Sequence, residues 1–157
     1  MSSSVNRLVL AGLLTGVTDG LFSGMLSAFF YNSTATRLFQ GVASMLIGPK
    51  AIEGGTPTAA LGLLMHFGVA FAWSAVFIFA MMRMDWVQRL LASPGGVVKM
   101  AMIFGPLVWV VMSFVVIPAM THRAPVLNTR WFTQFVGHAV FVGLPIVSVA
   151  SSVGGRP

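Results

Sequence analysis

Cysteine is absent from the 157 residues, tyrosine occurs once, and only three residues are acidic. The first absence excludes a disulfide framework and any thiolate-bound metal centre, and cysteine usage therefore says nothing about redox compartment. The scarcity of acids means that any carboxylate chemistry must draw on Asp19, Glu53 or Asp85. Nor do a nucleophile and a base stand at a recognisable spacing, so the chain is not expected to be an enzyme. Charge of either sign is thin, at 8% of residues against roughly 25% in soluble domains.

What the chain does contain is apolar. Hydrophobic residues make up 57%, with 13 phenylalanines and 17 glycines, and the mean hydropathy is +0.91. A soluble core of this length cannot hide so much apolar surface, so a lipid bilayer is the expected solvent. The formal charge of +6 comes from nine Lys and Arg residues scattered singly between apolar runs. That dispersal argues against nucleic acid, which needs a basic face, and for anchoring beside anionic lipid.

Four segments are long and apolar enough to span: about residues 8–31, 58–82, 97–120 and 131–153. The expected fold class is an all-α integral membrane protein, one domain of four transmembrane helices. Arg7 ahead of an apolar run imitates a secretory signal, but the run reaches Tyr31 and holds Asp19, so an uncleaved first span is expected. Between the first two spans, Leu38, Phe39, Val42, Met45 and Leu46 recur at helical spacing, with Arg37, Gln40, Gly41 and Ser44 on the other side. A short helix over about 35–47 follows, lying in the interface or packed on the bundle, and Gly48-Pro49 ends it. Residues 83–96 and 121–130 read as short connections.

Four spans put both termini on one side. That side carries Arg7, Arg83, Arg89, Lys99 and Arg156 against Arg37, Lys50, Arg123 and Arg130 opposite, and this positive bias predicts cytoplasmic termini in a cell membrane. Tyr31, Trp86 and Trp131 fall where interfacial aromatics are expected, while Trp73 and Trp109 fall deeper.

Gly12, Gly16, Gly20 and Gly24 share one stripe of the first span, continued by Ala28. Small residues at this spacing let helices approach closely, so the span is expected to be an interface helix, against another helix of this chain or a second copy. Thr15, Asp19, Ser23 and Ser27 form the stripe beside it. Asp19 lies about 16 to 18 Å from either end of its helix, near the bilayer midplane. A carboxyl at that depth should face protein or water, either as a neutral acid bonded to a neighbouring helix or as part of a polar site.

His66 and His138 each stand about seven residues into spans that start from the same side, which places both rings at a similar depth of roughly 10 Å. Gln134 lies one turn before His138. Asp19 comes out about 8 Å deeper than the histidines, and side chains on antiparallel helices lean apart, so a direct ion pair is not expected. Ser23 and Ser27 fill the intervening depth, giving a ladder of polar groups suited to a water-filled half-cavity or proton path. Pro106, Pro118 and Pro145 release helical carbonyls that protein or water must satisfy.

Arg37-Leu-Phe-Gln-Gly-Val-Ala-Ser44 with Glu53-Gly-Gly55, the His66 helix, Ser113-Phe114 with Pro118, and Gly137-His138 with Gly143-Leu-Pro145 together resemble the YagU-like group of bacterial inner-membrane proteins, a family of unknown function. The resemblance implies a small multi-span protein of the inner membrane and supplies no catalytic residues.

The residues themselves point to binding or translocation of a proton or cation by Asp19, His66 and His138, with Ser23 and Gln134 beside them. The alternative is a structural or accessory subunit assembled through the glycine stripe, as a homo-oligomer or with another membrane protein. A third option is a bis-histidine haem or metal site, since two imidazoles at one depth could supply axial ligands. No attachment motif accompanies them, and no cofactor is expected.

Overall fold

A computed structural model describes residues 3–152 of the chain. The last residue of the 131–153 span and Arg156 lie outside the described residues. The described residues form an all-α bundle without strands. Its helices are α1 (Ser3–Phe30), α2 (Ala35–Ile47), α3 (Gly55–Phe79), α4 (Asp85–Ala92), α5 (Gly96–Thr121) and α6 (Thr129–Ser151). Four of them, α1, α3, α5 and α6, are long and apolar enough to cross a membrane. Their outer faces carry exposed apolar side chains such as Leu10, Leu21, Leu64, Met102 and Val136, as a lipid-facing surface requires.

The expected spans match these helices to within a few residues. Three local differences matter. First, α3 begins at Gly55 rather than near Thr58, because Gly55 takes a φ of 63° and turns the chain directly into the helix. Second, the connection 83–96 holds a helix of its own, α4, with Asp85 in its first turn and Val87 buried; Asp85 is favourable at the positive end of the helix dipole. Third, α2 packs on α3. Thr34 caps it by accepting from the Arg37 amide at 3.1 Å, and a Cβ on Gly62 of α3 would fall 1.7 Å from the Phe39 carbonyl oxygen. That backbone approach buries Gln40, assigned by pattern to the outer polar face, and its amide donates to the Gly55 carbonyl at 3.0 Å.

The closest contact between spans is α5 against α6. A Cβ on Gly105 would lie 2.0 Å from the His138 carbonyl oxygen, and one on Gly143 would lie 2.3 Å from that of Ala101. Each of these two helices also widens for one π turn, at Met112–Val116 and Ala139–Gly143, a few residues before Pro118 and Pro145. Proline cannot donate to the carbonyl four residues back, and the chain relieves the resulting clash by inserting a wider turn.

On α1, Gly12 and Gly16 receive the rings of Phe71 and Phe67 from α3, within 2.4 Å of where a Cβ would stand. These two glycines therefore seat aromatic rings of the same chain rather than a second backbone. Lower down the stripe, Gly20 meets His66 and Gly24 approaches only Ala35 at 3.8 Å.

Along its long axis the bundle has two unlike halves. Around the α1 N-terminal end, Phe77, Val87, Met100, Phe104, Ile146 and Val147 form a fully packed core. The other half is hollow.

Candidate functional site

The hollow half encloses a cavity of about 610 Å³. It ends where Trp73, Val108 and Val142 meet the packed core, and its rim includes the exposed Arg37, Asn128 and Arg130. Asp19, Ser23, His66, Gln134 and His138 all line it, so the candidate residues from three separate spans converge on one space.

Asp19 and His66 come closer than helix arithmetic suggests. The His66 Nδ1 atom lies 4.0 Å from Asp19 Oδ2, with both side chains largely buried. Two causes act together. The early start of α3 sets His66 three residues further into its helix, about 4.5 Å deeper at 1.5 Å per residue. Gly20 then leaves room for the ring against α1, since a Cβ there would stand 3.3 Å from Nε2.

The hydrogen-bond partners fix both histidine tautomers. His66 Nε2 is 2.9 Å from the Gly16 carbonyl oxygen, which can only accept, so Nε2 carries hydrogen and a neutral ring turns its Nδ1 lone pair towards Asp19. A lone pair and a carboxylate oxygen repel unless a proton resides on one of them. At 4.0 Å the two atoms are beyond direct hydrogen-bond range, so the contact is electrostatic, and it is favourable when a proton resides on either group. His138 shows the reverse tautomer: Nδ1 donates to the Gln134 carbonyl at 2.8 Å, leaving Nε2 as its open acceptor. His138 lines the same cavity as Asp19 and His66.

Ser23 and Gln134, expected beside the titratable groups, are joined here, and two tryptophans enter the site with them. Gln134 donates to Ser23 Oγ at 3.1 Å and ties α6 to α1. The Trp109 ring lies 4.8 Å from that of His138 and 6.3 Å from that of Trp131. Trp131, expected at the interface, lines the cavity instead, stacked on Phe135. Thr15 is 2% exposed. Among the described residues, five buried polar atoms of the cavity wall have no hydrogen-bond partner: Thr15 Oγ1, Asp19 Oδ1, Trp109 Nε1, Trp131 Nε1 and Gln134 Oε1. Buried polar groups are normally satisfied, and a cluster of unsatisfied ones around a single space marks where another molecule belongs. Of these, Asp19 and Gln134 were expected at the site and Thr15 on the Asp19 stripe, whereas the place of the two tryptophans in the cavity wall was not legible beyond the depth of Trp109.

The three titratable groups do not form a metal-binding set. Among the described residues no group of three or more His, Cys, Asp or Glu side chains is positioned to hold a metal ion. The arrangement can hold and pass protons, and it can place a carboxylate against a cation inside apolar walls. Comparison of the chain with protein-family models, curated proteins and solved structures finds no match.

Proposed function

We propose that the chain is a multi-pass protein of the bacterial inner membrane, with cytoplasmic termini, that binds and relays a proton or cation at the Asp19–His66–His138 cluster. The observation that carries this reading is the 4.0 Å approach of His66 Nδ1 to Asp19 Oδ2 inside a cavity that also holds His138. A carboxyl near the bilayer midplane is costly unless protein or water stabilises it, and ionisable groups kept there usually bind or relay charge. The four-span topology and the weak positive bias of the terminal side support the orientation. Purified protein in proteoliposomes, with an imposed potential and an internal pH dye, tests it: wild type conducts protons and Asp19→Asn does not. Equal flux in both would reject the relay.

A second reading has its own observation. The lower glycine stripe leaves an outward groove along α1, lined by Gly20, Gly24, Ala28, Phe29, Ala35 and Leu63, with Leu21, Met25 and Phe29 prominently exposed. A helix of another copy or of another membrane protein would fit it, and the protein would then act within a larger assembly.

A further inference from the structure

The cavity is far larger than its proposed cargo of a proton or small cation requires. Its 610 Å³ falls within the roughly 300 to 1,000 Å³ of small-molecule sites, which are mainly apolar with a few polar groups that orient the occupant. The walls fit that description. Three of the four tryptophans, Trp73, Trp109 and Trp131, line it, and their faces attract cations.

The unsatisfied polar groups fix the polarity of what would enter. The acceptors are Asp19 with its unpartnered Oδ1, Gln134 with its unpartnered Oε1, and the lone pair of His138 Nε2 left by its carbonyl partner. The unpartnered donors are the two indoles and the Thr15 hydroxyl. An occupant complementary to this wall brings N–H donors and positive charge to Asp19 and an apolar body to the tryptophans.

The rim narrows the class further. Arg37 and Arg130 stand there, the former donating to the Ile52 carbonyl at 3.2 Å and the latter lying 4.6 Å over the Tyr31 ring. These two charges are solvent-exposed and screened, so they mildly disfavour the entry of a cation relative to that of a neutral base.

We infer that the cavity takes a lipophilic primary or secondary amine, which passes the rim as its free base and receives a proton carried by the Asp19–His66 pair. The inference rests on the proposed proton-holding role of that pair and names its second substrate. The protons balance. An ammonium in water leaves its proton in bulk on becoming the free base, the amine nitrogen then takes the proton of the Asp19–His66 unit, and Asp19 remains as the carboxylate partner. Each binding event releases one proton to bulk and takes up one organic cation, the stoichiometry of an exchange.

Titration calorimetry on the full chain in detergent tests this with four probes of one shape: phenylbutylamine, its N,N,N-trimethylammonium analogue, phenylbutanol and phenylbutyrate. The amine is expected to bind about tenfold or more tightly than the other three, as a charge-assisted hydrogen bond allows. Paired buffers of different ionisation enthalpy should report about one proton released per amine bound. Asp19→Asn should weaken the amine about tenfold while leaving phenylbutanol unchanged. Tightest binding of phenylbutyrate would assign the site to Arg37 and Arg130 and overturn the inference, as would equal binding of the trimethyl analogue. The wild-type ranking decides even if the variant does not fold. In proteoliposomes, Asp19-dependent proton flux without amine binding would overturn the inference and leave the proposed function standing. Amine binding with proton release but without flux would uphold the ligand class and remove the relay.

Discussion

The Thr18 hydroxyl of α1 lies 2.8 Å from the carbonyl oxygen of Phe141 on α6, four residues before Pro145, which has no N–H to offer it. The carbonyl that proline frees is thus satisfied from a neighbouring span, and the π turn Ala139–Gly143 presents it there. The same hydroxyl is 2.9 Å from the Leu14 carbonyl and 3.3 Å from the Thr15 carbonyl of its own helix, so its single hydrogen has three acceptors within reach.

Removing that donor should loosen the α1–α6 contact. Thr18→Val is nearly isosteric and is expected to lower stability by about 0.6 to 2 kcal/mol, the range for interhelical hydrogen bonds in membranes. Thr18→Ser should recover most of the loss. Unfolding in mixed micelles by titration with a denaturing detergent measures both.

Gly62 and Gly68, about 1.7 turns apart on α3, should respond oppositely to alanine. A Cβ at Gly62 meets the Phe39 carbonyl and the Ala43 amide of α2, whereas one at Gly68 meets nothing within 4 Å. Gly62→Ala should destabilise by about 1 to 3 kcal/mol as α2 is forced away. Gly68→Ala should be neutral or gain up to about 1 kcal/mol from helix propensity. Thermal unfolding in detergent, followed by circular dichroism, separates them.

The glycine stripe of α1 should divide into an inner and an outer part. Gly16→Leu drives into the Phe67 ring, so it should yield aggregated or poorly folded monomer. Gly24→Ala has room beside Ala35 and should leave the monomer intact, changing only any association through the outward groove. Size-exclusion chromatography with light scattering reads both outcomes.

His66→Gln isolates the proton-holding role from packing. A glutamine amide can still donate to the Gly16 carbonyl, but it brings no second ring nitrogen to Asp19. Folding by circular dichroism should be retained while proton flux in proteoliposomes falls to the level of Asp19→Asn. Undiminished flux would show that His66 only packs.

Much of the architecture was legible in the sequence because it depends on run length and helical period. Four apolar stretches of spanning length can satisfy their backbones in lipid only as helices, and the amphipathic stretch after Thr34 has only one apolar side to bury. Proline positions announced where carbonyls would be freed, although Pro145 alone did not identify Thr18 as the donor. The helix α4 was hidden because eight residues with a mixed face look much like a turn.

What the sequence by itself determined is the helical fold with four spanning segments, their approximate bounds, and the depths of Asp19, His66 and His138 to about one helical turn. Only the tertiary structure decided that Asp19 approaches His66, that Gln40 is buried, that Gly62, Gly105 and Gly143 admit the backbone of a neighbouring helix, and that half the bundle is hollow. The physical reason is one of scale. Hydrophobic patterning locates a residue to about one helical turn, 5.4 Å, whereas a hydrogen bond or a proton-sharing contact is set within a few tenths of an ångström. A three-residue shift in a helix start and the absence of one Cβ at Gly20 are enough to make the difference.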